Sequence, residues 1–169
     1  TEPSEEQLHY FKTIRRSVDA LLGIVGNILD FSKIEAGRLE LRPERFSLNE
    51  LIEEVRGLFE IEAKRRGLTF SAEIEPGTPF QVMTDRSHLR QVLINLIGNA
   101  IKYTESGSVS LRCTRGRIVD DNIAPNKTYY QVSFAIADTG IGVPDDKKDL
   151  LFKPFNQLVE SKTRKYEGT

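Results

Sequence analysis

A chain of 169 residues, 38% hydrophobic and 29% charged, suits one globular domain with a helical appendage and is too apolar for a disordered tail. The net charge of −1 excludes the long-range field of a nucleic-acid or anionic-membrane binder. No apolar run reaches the roughly 18–20 residues of a membrane span, no signal-peptide pattern opens the chain, and Cys113, His9 and His88 do not amount to a disulfide or a zinc site.

The first element is a long helix. Ser4, with Gln7 three residues on, is an N-cap signature. From there Phe11, Ile14, Val18, Leu21, Val25 and Ile28 step by threes and fours, with Leu22 and Leu29 widening the face. That spacing is the seam of a coiled coil or bundle, and a single helix cannot cover it. Gly37 is the expected stop. Leu39 to Phe46 reads as a short extended piece. Ser47-Leu48-Asn49-Glu50 is a second capping signature, opening a helix with Leu51, Ile52, Val55, Leu58 and Phe59 on its apolar side and an end near Gly67. Leu68 to Ile74 alternates like a strand, Glu75 to Thr78 turns, and Val82 to Thr84 is a short strand. Asp85 starts a helix to about Tyr103. Ser108 to Thr114 and Tyr129 to Ala137 read as strands joined by a polar hairpin loop from Gly116 to Lys127. A short helix around Lys147 to Leu151 precedes a polar tail. The order predicts a mixed α+β domain, with strands covered by helices on one face.

Three stretches carry candidate chemistry. On the helix from Asp85, Leu89, Val92, Leu93, Leu96 and Ala100 are the expected core face. Asn95, Asn99 and Lys102, spaced by four and three, stack in a column on another side. An Asn carbonyl is a hard ligand suited to Mg²⁺, and a Lys meets phosphate oxygens; a solvated helix face explains the same column equally well. Asp138-Thr139-Gly140-Ile141-Gly142-Val143-Pro144 follows a strand. Its two glycines let backbone pass close to a flat ligand, and its Asp can accept from the exocyclic amine that adenine presents where guanine presents an oxygen; hairpin turns use the same glycines. Leu151-Phe152-Lys153-Pro154-Phe155 has the look of an anchor for a mobile lid, or of two core phenylalanines.

Taken together, these stretches resemble the sensor histidine kinases of two-component systems, especially the hybrid type, over essentially the whole chain. Leu29-Asp30-Phe31-Ser32-Lys33-Ile34-Glu35-Ala36-Gly37 resembles the end of the second helix of the family's dimerization and phosphotransfer hairpin. Asp85 to Thr104, with Asn95-Leu96-Ile97-Gly98-Asn99-Ala100-Ile101-Lys102-Tyr103, resembles the N box, Asp138 to Gly142 the first glycine box, and Phe152 to Phe155 the F box. Four motifs in the family's order are highly specific. The resemblance implies residues 1–37 as the second dimerization helix and 38–169 as a Bergerat-type (GHKL) catalytic ATP-binding domain. That fold is an α/β sandwich with a mixed sheet and helices on one face.

The resemblance also implies Mg²⁺ with ATP as substrate, a homodimer through the N-terminal helix, and a receiver domain as partner. Asn99 resembles the Mg²⁺ ligand, Asn95 its neighbour on the phosphate side, Lys102 a phosphate contact and Tyr103 a residue packing near the nucleotide. Asp138 resembles the adenine-binding carboxylate; Gly140, Ile141 and Gly142 resemble the backbone under the base. Phe155 belongs to the lid anchor, and Thr163 and Arg164 open the lid segment before the second glycine box. Two departures stand out. The phosphoacceptor motif is missing, since His9 is followed by Tyr-Phe-Lys and His88 lies in the N-box helix, so the chain is expected not to phosphorylate itself. The sequence also stops at Glu167-Gly168-Thr169, where the second glycine box is expected, so the ATP lid reads as truncated. The expected function is transfer of the ATP γ-phosphoryl group to a histidine, for relay to a receiver aspartate. The alternatives are a chaperone- or mismatch-repair-type ATPase of the same fold, or a degenerate dimerising module. The domain's expected place is the cytoplasm, whether or not the whole protein is anchored in a membrane.

Overall fold

The computed structural model describes residues 4–119 and 129–150. The chain divides into two units between Glu40 and Leu41. In the first, α1 (Glu5–Glu35) begins where the Ser4 hydroxyl accepts from the Gln7 N–H at 3.2 Å and the Gln7 carboxamide accepts from the Ser4 N–H at 2.8 Å. Both partners satisfy amides that a helix start leaves orphaned. Gly37, at φ +63°, turns the chain out of the helix. Within this unit the stripe from Phe11 to Ile28 is exposed. Among the described residues, no helix is long and apolar enough to cross a membrane.

The second unit runs β1 (Glu44–Ser47), α2 (Leu48–Arg65), β2 (Thr69–Ile74), β3 (Gln81–Thr84), α3 (Arg86–Tyr103), β4 (Ser108–Val119), β5 (Tyr129–Asp138) and a 3₁₀ turn at Asp145–Leu150. The extended piece expected over Leu39–Phe46 is a ladder only at Glu44–Ser47, where β1 pairs antiparallel with β3. The larger sheet has the order β2-β4-β5, with β4 parallel to β2 and antiparallel to β5. The mixed sheet of the sequence reading is thus three-stranded, with β1–β3 a separate pair. Helices and strands share a core: Leu48, Leu51, Ile52, Val55 and Ala63 of α2, Leu93, Ile97, Ala100 and Ile101 of α3, and Val109, Leu111 and Cys113 of β4, with Phe46 and Leu68. Burial pushes the Cys113 thiol up to about 11, so it behaves as an inert core residue. α2 and α3 are also tied by charge: Glu54 accepts from Arg86 at 2.7 Å and from Arg90 at 2.5 Å. Arg90 first, then Arg86, holds the Glu54 carboxyl below its ordinary range.

Two expectations fail here for physical reasons. The polar stretch from Gly116 is not all loop, because β4 continues to Val119 across a register shift between Arg115 and Ile118. A Cβ at Gly116 would come within 3.2 Å of the Gln131 carbonyl, so this glycine serves close strand approach. Residues 120–128 lie outside the described part. The expected core face of α3 is also rotated. Leu93 and Ala100 are buried, but Val92 is 52% and Leu96 45% exposed, while Ile97 and Ile101 are buried instead. α3 is apolar on too many sides for its period to choose one. α2 and the sheet choose it.

Replacing Ile97 by Ala should therefore cost about 2–5 kcal/mol of stability. Leu96→Ala should stay within about 0.5 kcal/mol. Denaturant unfolding of the two variants checks this, and equal losses would return Leu96 to the core.

Candidate functional site

Helix α3 is held at both ends. At its start the buried Asp85 accepts from the His88 N–H at 3.0 Å and from the Arg42 N–H at 2.9 Å. The His88 Nδ1 lies 2.9 Å from the Asp85 carboxylate. The His88 amide first, then that of Arg42, holds the Asp85 carboxyl well below its ordinary range. His88 is accordingly half-buried against its own helix cap. The His9 side chain lies outside the described atoms.

Along the exposed side of α3 run Asn95 and Asn99, both exposed, and Lys102 and Tyr103, both half-buried. The Gln91 carboxamide donates to the Asn95 carbonyl at 3.4 Å. The Lys102 ammonium stands 5.4 Å from the centre of the Tyr103 ring, within range of a cation–π contact. The exposed Val92 and Leu96 flank this column, so the face is a mixture of amides, one cation and apolar groups.

The second half of the site is the turn after β5. Asp138 is exposed, and its Oδ1 accepts from the Gly140 N–H at 2.9 Å. A Cβ at Gly140 would lie 2.4 Å from the Tyr103 carbonyl oxygen and 3.0 Å from the Thr104 hydroxyl. No other residue fits there without moving backbone. The Ile141 N–H then donates to the same Tyr103 carbonyl at 3.4 Å. Gly142 has φ +65°, in the left-handed region that favours glycine, and no atom of the described residues lies within 4 Å of a Cβ built there.

The structure thus stitches Asp138 to Ile141 directly onto the last residues of α3, while Asn95, Asn99 and Lys102 lead away along the same helix. Phe155, Thr163 and Arg164 lie outside the described residues.

Sequence reasoning missed the groups that make the junction. Thr104 caps α3 by donating its hydroxyl to the Ala100 carbonyl at 2.7 Å. The Thr139 hydroxyl accepts from the Ser108 N–H at 3.0 Å. Gly107, at φ +106°, makes room for it, since a Cβ there would come 2.2 Å from that hydroxyl. The run Ser106-Gly107-Ser108 is a turn signal, but nothing in it names Thr139 as its partner.

Comparison with known proteins gives the family. The model of the family described as histidine kinase-, DNA gyrase B-, and HSP90-like ATPase matches residues 84–169, just over half of the chain. The curated relatives are signalling proteins, among them the sensory/regulatory protein RpfC of Xanthomonas campestris pv. campestris. It is 39% identical over 170 residues, covering all of this chain but only 22% of the relative. Among solved structures, full-length ShkA in complex with AMPPNP superposes with a TM-score of 0.69 at 30% identity, over 93% of this chain and 31% of that one. The histidine kinase ThkA, in complex with the response regulator TrrA, gives 0.60 at 29% identity over 93% of this chain and 42% of its own. By its sequence and by its fold the chain belongs to the histidine kinase-, DNA gyrase B-, and HSP90-like ATPases, as an ATP-binding core of the sensor histidine kinase type.

Proposed function

We propose that this core presents Mg-ATP so that its γ-phosphoryl group passes to a histidine and, in the whole protein, on to a receiver aspartate. The observation that carries the reading is the shared Tyr103 carbonyl. It receives the glycine turn that follows Asp138 and ends the helix that bears Asn99 and Lys102. One rigid junction therefore sets the distance between a base-recognising carboxylate and a phosphate-facing column. The free side of the Asp138 carboxylate accepts the adenine amine, and Gly140, Ile141 and Gly142 run beneath the base. Tyr103 packs near the nucleotide, and Asn95 and Lys102 face the phosphates. Phe155, Thr163 and Arg164 retain their proposed lid roles from the family resemblance alone.

Mg²⁺ would be held at Asn99, whose exposed carboxamide offers it a hard oxygen. Among the described residues, no group of three or more His, Cys, Asp or Glu side chains could hold a metal. Mg²⁺ usually takes few protein ligands and completes its shell with water and phosphate. Asn99 would supply one neutral oxygen, and the bound ion would offset phosphate charge. In the transfer, an imidazole nitrogen bonds to the γ phosphorus as the bond to the bridging oxygen breaks, and ADP leaves. Lys102 stabilises the charge, and the rest is positioning. The ThkA complex with a response regulator supports a receiver as the destination.

Calorimetry with ADP and Mg²⁺ tests the site. Asp138→Asn should lose about 1.5–3 kcal/mol of binding, and Asn99→Ala should remove most of the dependence on Mg²⁺. Unchanged binding in Asp138→Asn would remove that residue from the site.

Labelled ATP tests the reaction. This chain alone should carry no acid-labile phosphate, because His88 is held against Asp85 in the N-box helix and His9 lacks the acceptor motif. A protein carrying the family's acceptor helix should become labelled when mixed with it. Label on His9 or His88 would overturn the assignment.

A second copy of the chain is the proposed cover for α1. Phe11, Ile14, Val18, Leu21, Val25 and Ile28 are each between 46% and 61% exposed, and burying such a side chain contributes roughly 1.5–3 kcal/mol. Light scattering should show a dimer that Leu21→Glu with Val25→Glu dissociates. A monomer before and after would refute the seam.

A further inference from the structure

Thr139 stands between Asp138 and Gly140, which the proposed function uses, yet its hydroxyl bonds to the Ser106–Ser108 turn instead. Its N–H donates to the Ser108 carbonyl at 3.1 Å, extending the β4–β5 ladder by one rung. Its hydroxyl accepts from the Ser108 N–H at 3.0 Å and lies 3.2 Å from the Ser106 carbonyl, to which it donates. One residue therefore holds both sides of the Ser106–Ser108 turn. That turn joins α3 to β4, and the Gly107 carbonyl also accepts from the Thr69 N–H at 3.0 Å, where β2 begins. Gly107 has no side chain because the Thr139 hydroxyl occupies the space.

The connection from Tyr103 to Ser108 is thus gripped twice by the segment that follows β5. Gly140 and Ile141 grip its first residues, and Thr139 grips its last. Asp138 lies immediately before the second grip, in register with Val109. A backbone hydrogen bond alone allows residues 138–140 to pivot about the Ser108 carbonyl. The hydroxyl adds a second point of attachment and removes that freedom.

We propose that Thr139 is a positioning residue for base recognition: its hydroxyl sets the angle at which the Asp138 carboxylate meets the nucleotide's exocyclic amine. The role rests on the reading of Asp138 given above. It is specific to the hydroxyl, not to the methyl group, and it bears on which base is chosen as well as on how tightly any nucleotide is held. A base-recognising bond is sensitive to misalignment because hydrogen bonds weaken steeply as they bend.

The test compares Thr139→Val, which keeps the shape and loses the hydroxyl, with Thr139→Ser, which keeps the hydroxyl. Thr139→Ala takes the place of the valine variant if that one does not fold. Calorimetry of the whole chain with ADP and with GDP, each with Mg²⁺, gives two affinities and their ratio. Thr139→Val should weaken ADP binding about tenfold, close to 1.4 kcal/mol, and narrow the preference for ADP over GDP. Thr139→Ser should remain within about twofold of the parent on both counts. Wild-type behaviour in Thr139→Val overturns the proposal. So does an equal loss for both nucleotides, or an equal loss in the valine and serine variants, since each marks a merely structural residue. Asp138→Asn, measured in parallel, separates the two readings. If it leaves ADP binding unchanged, or if the parent chain binds no ADP, the site reading falls and takes Thr139 with it. If it weakens ADP binding while Thr139→Val does not, only the role of Thr139 falls.

Discussion

Backbone meets backbone at Gly140 with no room for a methyl group between them, and the geometry of the site follows from that contact. The Tyr103 carbonyl oxygen is 2.4 Å from where a Cβ would be, so the chain after β5 can lie against the end of α3 only with glycine at this point. Once it lies there, the Gly140 N–H turns onto the Asp138 carboxylate and the Ile141 N–H onto the Tyr103 carbonyl. The helix contributes its share by burying Leu93, Ile97, Ala100 and Ile101, which turns Asn95, Asn99 and Lys102 outward. The core and the close contact together orient the helix and seat the loop against its end. A charged, multi-oxygen ligand needs such preorganisation, because groups that must first be ordered contribute less on binding.

What the chain states locally could be read from it directly. Ser4, Ser47 and Asp85 each cap the helix they were expected to cap, because an N-cap is decided within four residues. The Asn95–Asn99–Lys102 column was legible for the same reason, since its spacing is a property of any helix. The rest needed partners distant in sequence. The core face of α3 was read a step away from its true place because Val92, Leu93, Leu96 and Ile97 are all apolar, and only packing against α2 and β4 separates them. Gly116 passed for a turn because its role depends on Gln131 across the ladder. Thr139 carried no signal at all: one hydroxyl between Asp138 and Gly140 acquires meaning only when β4 and β5 bring it to Ser108.

The two ends of α3 are secured by different physics. At the start, a buried carboxylate collects two backbone amides and a histidine edge, an electrostatic clamp that orients the helix without depending on shape. At the finish, the fit is mostly steric, made of a missing side chain, a capping hydroxyl and the Tyr103 carbonyl, with the Asp138 carboxylate on the Gly140 N–H. The exposed amide column lies between them.

The parallel pairing of β2 with β4 also bears on how the chain reaches this state. Thr69 pairs with Ser108, a separation of 108 − 69 = 39 residues that encloses β3 and all of α3. Val119 pairs with Tyr129 across 129 − 119 = 10. Closing the longer loop costs about 1 kcal/mol more in chain entropy, and it returns contacts only after α3 has formed inside it. The hairpin that carries Asp138 therefore closes at less cost in chain entropy than the long loop that carries Asn99. The Gly107 carbonyl that accepts from the Thr69 N–H lies in the turn held by Thr139, so the pairing of β2 with β4 and the docking of the Asp138 turn meet at the same three residues, Ser106 to Ser108.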